Sequence, residues 1–351
     1  MYLGIVICLA CGLLATWLGG LQHIVGGPML GLFLGIIIAN AAPASFISAT
    51  KKGASFSSKY LLKAGIILAG GTLSFKAVLG VGLSALPIIL FNICLSFLVA
   101  ALVGKAMGVS VNIRVLVGGG TAICGGTAIA TLTPIVEAEE DEMAYAMTAI
   151  FLFDILAALM WPYVAQAIEL APEQYGILGG LAISDTSSVT AAGATYDAIM
   201  GGATAIVNGE SLTGGDMAVI VKLTRTVMLV VVAIAVMLWS SMKKSSSSDT
   251  ASEGASFAKR AVKAFPLFVL GFLAMAILNT FIGFSSVKIG TLALSKVFSK
   301  GYKYLISVAL VGVGYKIKLG DLFTKGAKPV MLGGCTWLAL ALSTLAYVLI
   351  F

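Results

Sequence analysis

Long apolar runs follow one another along almost the entire chain of 351 residues, and they restrict its fold more than any other feature. Each run is continuously apolar instead of alternating with a period of two, which favours helices over a membrane barrel. A helical crossing needs about 20 apolar residues, so the sequence predicts an all-α polytopic membrane protein with about 10–11 transmembrane helices. The predicted spans lie near residues 2–20, 24–42, 60–75, 82–104, 112–135, 143–168, 175–196, 215–241, 264–283, 303–315 and 328–350.

Charged residues make up only 11% of the sequence, against about 25% in soluble domains. This shortage excludes an ordinary water-soluble enzyme and a nucleic-acid-binding protein. The formal net charge of +7 comes from basic residues that lie mostly between the apolar runs, so we attribute it to membrane topology. In the eleven-span arrangement, one side of the membrane receives 15 of the 22 basic residues and the other side receives five. The positive-inside rule then places the N-terminus in the cytoplasm and the C-terminus outside.

We interpret residues 1–351 as a single transmembrane domain. The longest polar stretch, residues 241–260, is rich in serine and predicts a flexible loop between two helices. The segments Leu61–Leu90 and Leu305–Gly334 share several residues at a shift of 242 positions. Because these segments run in opposite directions in the predicted topology, they indicate an inverted repeat. A similarity of this extent between two apolar segments also arises by chance.

One predicted span contains an unusual density of weak helix formers. The run GGGTAICGGTAIATLTP, residues 118–134, holds five glycines, four threonines and a proline. A helix that breaks near Gly125 and Gly126 would expose main-chain groups at membrane depth, where they must face protein or a wet cavity and can bind an ion or a polar substrate. The alternative is an unbroken helix whose glycines form a packing face. The candidate binding residues are Ile123, Cys124, Gly125, Gly126 and Thr127.

A second span repeats this pattern 60 residues later, with two glycines, an Ala-Ile pair and then a polar cluster. An ordinary helix would scarcely place such a cluster in hydrocarbon. Hydroxyl and main-chain amide groups suit an oxyanion, whereas the carboxylate suits a cation or a transferable proton. The alternative is an extramembrane loop between two shorter helices. The candidate residues are Ser184, Asp185, Thr186, Ser187 and Ser188.

Two basic residues, Lys222 and Arg225, lie three positions apart in a further apolar span and therefore on one helix face. A cation at membrane depth is costly unless it is paired or hydrated, so both residues are functional candidates. They could attract an anionic substrate, or they could neutralise Asp185 or Asp154. The alternative is that they snorkel from a helix that begins later. Asp154, alone in its apolar span, is either a proton site or a partner for Arg225.

Motifs of the common enzyme and ATP-driven classes are missing from the sequence, which has no Walker motif, HExxH or GxSxG. We therefore predict that the protein is not an enzyme and that it needs no cofactor. The single histidine, His23, cannot form a multi-histidine metal site, and no metal site is predicted. The coupling ion of a transport cycle, H+ or Na+, is left open.

In these motifs the chain resembles the YeiH-type bacterial inner-membrane proteins, a family often labelled as sulfate exporters. The resemblance covers nearly the whole chain and is carried by GTAICGGTAIA, AISDTSSVTAAG, VKLTR, PLFVLGFLAMAILN, ALVGVGYKIKL and GAKPVMLG. The family is distantly similar to cation/proton antiporters and bile-acid symporters, which implies inverted repeats and two discontinuous helices crossing near the membrane midplane. Ser184 stands where the family commonly has a histidine, so a proton-coupling role of that imidazole does not carry over.

Together these observations favour a secondary active transporter of a small anion, such as sulfate, sulfite or another sulfur oxyanion. It would work by alternating access in the bacterial inner membrane. Its expected partners are the anionic substrate and the lipid bilayer; nucleic acid is not expected, and a homo-oligomer is an open option. One alternative is a sodium/proton antiporter that uses Asp185. Another is a membrane subunit without transport activity of its own.

Overall fold

A computed structural model describes residues 1–21, 27–244, 267–289, 292–315 and 327–351 of the chain. Within these residues, five helices are long and apolar enough to cross a bilayer, and further apolar helices are shorter. The predicted all-α polytopic fold is therefore confirmed. The five long spans are Tyr2–Leu21, Phe75–Ala106, Asp141–Ala167, Gly214–Ser240 and Ala327–Ile350.

The described helices are numbered here in chain order. They are α1 (Tyr2–Leu21), α2 (Gly27–Ala41), α3 (Ala44–Phe56), α4 (Leu62–Gly70), α5 (Phe75–Ala106), α6 (Val111–Ala122), α7 (Gly126–Val136), α8 (Glu140–Ala167), α9 (Pro172–Ala182), α10 (Thr186–Ile199), α11 (Gly214–Lys244), α12 (Leu267–Ile282), α13 (Leu294–Gly314) and α14 (Ala327–Ile350). A π-helical turn, Ser57–Leu61, joins α3 to α4 without interruption. Two antiparallel hairpins pair β1 (Thr204–Val207) with β2 (Glu210–Thr213), and β3 (Lys288–Ile289) with β4 (Leu292–Ala293).

The helices follow the predicted spans with several differences. Helix α5 begins at Phe75 and α13 at Leu294, seven and nine residues before the predicted spans. The span predicted at 60–75 is the second half of a longer helix that begins at Ala44, a stretch whose lysines and serines hid its helical character.

The spans predicted at 112–135 and 175–196 do not cross as single helices: each is interrupted and turns back on itself, as the hairpins α6–α7 and α9–α10. A Cβ on Gly120 of α6 would lie 3.0 Å from Ile129 Cδ1 of α7, and the rings of Tyr175 and Tyr196 stack with centroids 3.8 Å apart. The two discontinuous helices that the resemblance implied are thus present, but each returns to the side from which it enters.

Of the predicted polar loop, residues 241–244 form the last turn of α11, and the remainder lies outside the described residues. His23 and residues 316–326 also lie outside them, and the inverted repeat stays a prediction.

Six helices form one group, which we call the panel bundle: α1–α4, α12 and α13. Helix α13 packs against α1, α2, α3 and α4, while α12 packs against α4. Glycines allow the main chains to approach closely: a Cβ on Gly4 would lie 3.0 Å from Gly53 Cα, and one on Gly35 would lie 2.9 Å from Gly314 Cα. Small residues at such contacts are the usual means by which helices pack tightly in lipid.

The other eight helices, α5–α11 and α14, form what we call the core bundle. Helix α11 packs against α5, α7, α9 and α10, and α14 packs against α5, α6, α8 and α9. Both interrupted helices therefore belong to this bundle, with α11 running beside them. The main contacts between the bundles are those of α2 with α10 and of α5 with α12. Among the described residues, the two bundles thus meet along a limited surface.

Candidate functional site at two helix breaks

The first break separates α6 from α7 at residues 123–125. Gly125, directly before α7, has φ +64° and ψ −117°, a conformation that side-chain-bearing residues rarely adopt. The glycines before and after this point lower the helical preference of the run. Helix α6 therefore ends at Ala122 and α7 begins at Gly126, as the sequence predicted. The alternative of an unbroken glycine-faced helix is wrong.

The second break separates α9 from α10 at residues 183–185. Asp185 caps α10: its carboxylate accepts hydrogen bonds from Ser187 N, at 2.9 Å, and from Ser187 Oγ. The polar cluster thus forms the break and the first turn of α10, and Ser184 and Ser187 are both buried. This excludes the alternative of an extramembrane loop. A Cβ on Gly125 would lie 3.8 Å from Ser184 Cβ, so the two breaks touch each other.

Lys222 joins the two breaks. Its Nζ donates to Ile123 O at 2.6 Å and to Ile183 O at 3.2 Å, and the residue is 0% exposed. These carbonyls lie where α6 and α9 end, at helix C-termini that carry partial negative charge. One ammonium group therefore stabilises both interruptions.

Arg225, one turn further along α11, binds the same two helix ends. Nε donates to Ala122 O at 2.6 Å, Nη1 donates to Leu181 O at 2.6 Å, and Nη2 donates to Thr121 O. The residue is 1% exposed, so the alternative that it snorkels to the membrane surface is wrong. Since both cations reach both half-helices, the C-terminal ends of α6 and α9 lie at the same depth.

Asp154, in the middle of α8, occupies the opposite side of the second break. Its Oδ1 accepts from Ser184 N and from Asp185 N, both at 2.7 Å, and its Oδ2 accepts from Ser188 Oγ. The residue is 2% exposed. As a lone acidic residue in an apolar span, Asp154 is recognisable as unusual from the sequence, but the pattern does not indicate that it faces the serine cluster. Two acidic side chains, those of Asp154 and Asp185, and the two basic side chains of α11 thus surround the breaks.

The start of α7 has no carboxylate partner among the described residues, although the Cys124 side chain accepts the N–H of Ala128 in the first turn of this helix. Gly125 supplies no side-chain cap, and the N–H groups of Gly126 and Thr127 have no acceptor among the described residues. Thr127 is exposed and Gly126 is half-buried. The buried Thr121 hydroxyl nearby also lacks a partner in the described part of the chain. This helix start can therefore offer main-chain donors to a ligand.

All twelve candidate residues lie at or beside the two breaks. They are Ile123, Cys124 and Gly125 in the first break; Gly126 and Thr127 at the start of α7; Ser184 and Asp185 in the second break; Thr186, Ser187 and Ser188 in the first turn of α10; and Lys222 and Arg225 on α11. Their joint role in binding stays a prediction. Trp337 of α14 completes the site from another side, since its Nε1 donates to Ala182 O at 2.9 Å. Sequence reasoning did not identify this contact, because a single tryptophan in an apolar span gives no signal for it.

No group of three or more histidine, cysteine, aspartate or glutamate side chains able to hold a metal ion occurs in the described residues.

Comparison with known proteins identifies the family. A family model described as "Conserved hypothetical protein 698" matches residues 3–333. The chain belongs to this family. A UPF0324 membrane protein of Streptococcus pyogenes serotype M3 is 36% identical over 343 residues, covering 98% of this chain and 95% of the relative. A UPF0324 membrane protein of Fusobacterium nucleatum is 33% identical over 350 residues, covering 97% and 95%.

A third UPF0324 membrane protein, from Streptococcus agalactiae serotype V, is 33% identical over 346 residues, with 97% of this chain and 95% of the relative covered. These matches confirm the family resemblance that the motifs indicated. Together with the apolar helices, they establish a multi-pass membrane protein. The names of these relatives state a membrane location and give no substrate.

Proposed function

We propose that the protein is a secondary active transporter of a small anion, with its binding site at the two helix breaks. The observation that carries this proposal is the partly exposed start of α7, which has no carboxylate cap among the described residues, beside the closed, carboxylate-capped start of α10. Interrupted helices that place unpaired main-chain groups at membrane depth are the usual binding elements of secondary transporters.

The anion would bind at the N-terminal end of α7. The N–H groups of Gly126 and Thr127 point out of this end, where the helix dipole favours negative charge. Lys222 lies on the other side of the break, bonded to Ile123 O, and its charge adds to the attraction. In this scheme Lys222 and Arg225 act through the break they stabilise, because their hydrogen bonds are already directed at carbonyls.

The family resemblance supports a sulfur oxyanion such as sulfate or sulfite as the substrate. Alternating access would come from movement of the panel bundle against the core bundle, which the limited contact between them allows. We place the protein in the bacterial inner membrane with a cytoplasmic N-terminus and an external C-terminus. The substrate and lipid are its proposed partners, as a monomer or a homo-oligomer. It would use no cofactor, would not be an enzyme, and would couple transport to H+ or Na+.

The test is thermal unfolding of the detergent-purified protein with sulfate, sulfite, thiosulfate and small carboxylates. An anion present at about 100 times its dissociation constant should stabilise the protein by about 2.7 kcal/mol. Thr127→Glu places a carboxylate in the first turn of α7, so it should abolish this effect and raise the stability without ligand by about 0.3–1 kcal/mol. Thr131→Glu, with the same charge one turn later, should retain the anion effect.

An anion effect that survives in Thr127→Glu would contradict binding at the start of α7. Retention in both variants would place the anion elsewhere in the protein. Uptake of the stabilising anion into proteoliposomes then tests transport itself, and absence of uptake by a protein that binds the anion would favour a non-transporting membrane subunit.

A sodium/proton antiporter is the second candidate, and the position of Asp154 favours it. Asp154 and Asp185 bring two carboxylates to the start of α10, and the half-buried Asp185 has one oxygen that accepts neither Ser187 bond. In this scheme Asp185 exchanges H+ for Na+. Asp185→Asn should then abolish the sodium-dependent pH change in proteoliposomes, while Asp197→Asn, at the end of the same helix, should retain it. Equal activity of Asp185→Asn and the unmodified protein would exclude Asp185 as the exchange site.

A further inference from the structure

The chain passes between the two bundles at one point within the described residues, the segment Gly71–Ser74, which we call the α4–α5 joint. The joint is a compact turn: Gly71 N, Thr72 N and Leu73 N each bond to the carbonyl three residues earlier. A Cβ on Gly70, just before it, would lie 2.2 Å from Phe272 O, so the end of α4 rests directly on α12. The joint is therefore a tight connection held against the panel bundle.

Both bundles supply hydrogen bonds to the joint. Ser74 N donates to Glu210 Oε2 of β2 at 3.1 Å, from the core side. From the panel side, Phe75 N donates to Thr280 Oγ1 at 2.8 Å, and Asn279 Nδ2 donates to Leu73 O at 3.1 Å. The first N–H groups of a helix have no partners within it, so α5 receives partners for two of these groups from two different bundles.

The β1–β2 hairpin links this point to the helix breaks. The hairpin connects the end of α10 to the start of α11, which carry the second break and the two cations. At its tip, Asn208 Nδ2 donates to Lys76 O at 2.9 Å. The start of α5 is therefore fixed to the helices that form the candidate site.

The other large contact between the bundles has a different character. Leu32 of α2 joins Val189 and Ala192 of α10 in a buried apolar cluster. Packed apolar helices can slide past each other by small steps, whereas the directional bonds of the joint hold one point in place.

We propose that the α4–α5 joint, together with the β1–β2 hairpin and the end of α12, is the pivot about which the two bundles rotate. This inference rests on the proposed transport function, since it locates the fixed point of the alternating-access movement. Helix α5 has 32 residues and is about 48 Å long at 1.5 Å per residue. A tilt of about 10° at its start would displace its far end by about 8 Å, by the same helix geometry.

The test measures distances between spin labels in the full chain, reconstituted in nanodiscs after replacement of the five native cysteines by alanine. Labels at Lys76→Cys and Phe281→Cys report on the pivot, because both residues are exposed and lie on different bundles. Labels at Ser45→Cys, at the start of α3, and Lys105→Cys, at the end of α5, report on the ends of the two bundles farthest from the joint. Labels at Lys105→Cys and Gln166→Cys, both in the core bundle, are the matched control.

We expect one narrow distance distribution for the pivot pair at every pH between 6 and 8, with or without sulfate and sodium. The far pair should show two populations separated by several ångströms, while the core control stays narrow. A broad or shifting distance distribution for the pivot pair would overturn the proposed pivot and leave the transport proposal intact. Narrow distributions in all three pairs would overturn the proposed bundle movement together with its pivot.

A second variant tests the contribution of the hairpin. Glu210→Ala removes the acceptor of Ser74 N, so it should broaden the distance distribution of the pivot pair. Glu210→Gln keeps an acceptor oxygen and should leave the distribution narrow. An unchanged distribution in Glu210→Ala would show that the hairpin does not hold the pivot.

Discussion

At each helix break one helix ends and the next begins. The two breaks are alike where α6 and α9 end, and they differ where α7 and α10 begin. At the ends of α6 and α9, Lys222 and Arg225 bind carbonyls of both half-helices. At the start of α10, Asp154 and Asp185 accept from the N–H groups of Ser184, Asp185 and Ser187, whereas the start of α7 has no carboxylate acceptor among the described residues. The second break thus has internal carboxylate partners, and the first leaves the Gly126 and Thr127 N–H groups for a ligand. Similar sequence patterns 60 residues apart have therefore produced one closed and one open interruption.

The largest expected effect concerns the end that the two breaks share. Arg225→Gln leaves the carbonyls of Thr121, Ala122 and Leu181 without their guanidinium donor, and each buried acceptor that loses its partner costs about 1–3 kcal/mol. Thermal unfolding in detergent measures this loss. Arg114→Gln is the control, since its guanidinium makes one longer contact, 3.4 Å from Nη1 to Ala101 O, near the helix end. Equal losses in the two variants would show that Arg225 does not hold the breaks together.

The next prediction separates the two carboxylates of the closed break. Asp154→Asn replaces one acceptor oxygen by an NH2 group, so Ser188 Oγ or the two N–H groups lose a charged partner, at a cost of about 1.5–3 kcal/mol. Asp185→Asn should cost less than about 1 kcal/mol, because asparagine is also a good helix N-cap. Chemical unfolding of both variants in the same detergent compares them. A greater loss in Asp185→Asn would reverse the roles we assign to the two residues.

The smallest effect concerns the backbone of the open break. Gly125→Ala forces a side chain into a conformation with φ +64°, which should destabilise the protein by about 1–2 kcal/mol. The control is Ser184→Ala in the closed break, next to Asp185, which corresponds to Gly125. This variant keeps the main-chain bond from residue 184 to Asp154 and has no positive φ there, so the stability of the protein should scarcely change. Thermal unfolding distinguishes the two. Similar stabilities would mean that the break at Gly125 is not conformationally demanding.

Much of this arrangement could be predicted from the sequence because the membrane makes local patterns informative. The glycines around Gly125 and the polar run after Ile183 cannot form ordinary lipid-facing helices, so both breaks were predicted at the right residues. The opposite holds for Ala44–Phe56, where Lys51 and Lys52 gave the segment a loop-like polarity although it is helical. Its small residues serve close packing against α1, and pattern alone does not reveal such packing.

Partners across the bundle were harder to predict. Asp154 was recognised as unusual, but a lone carboxylate in an apolar helix does not specify which neighbour it faces. Lys222 and Arg225 were expected to pair with carboxylates or a substrate, and instead bind carbonyls that become available only because the helices are interrupted. Side-chain types can be read from a sequence, whereas main-chain acceptors appear only once the breaks exist in three dimensions.

The contacts that complete the breaks have a consequence for biosynthesis. Ile123 O is bound by Lys222, 99 residues further along the chain, and Ala182 O is bound by Trp337, which follows 155 residues later. When α6 and α9 leave the ribosome, the residues that later bind their terminal carbonyls have not yet been synthesised. Lipid cannot supply hydrogen-bond donors to these carbonyls either. We therefore expect the interrupted helices to stay near the aqueous channel of the insertion machinery until α11, and finally α14, has been synthesised.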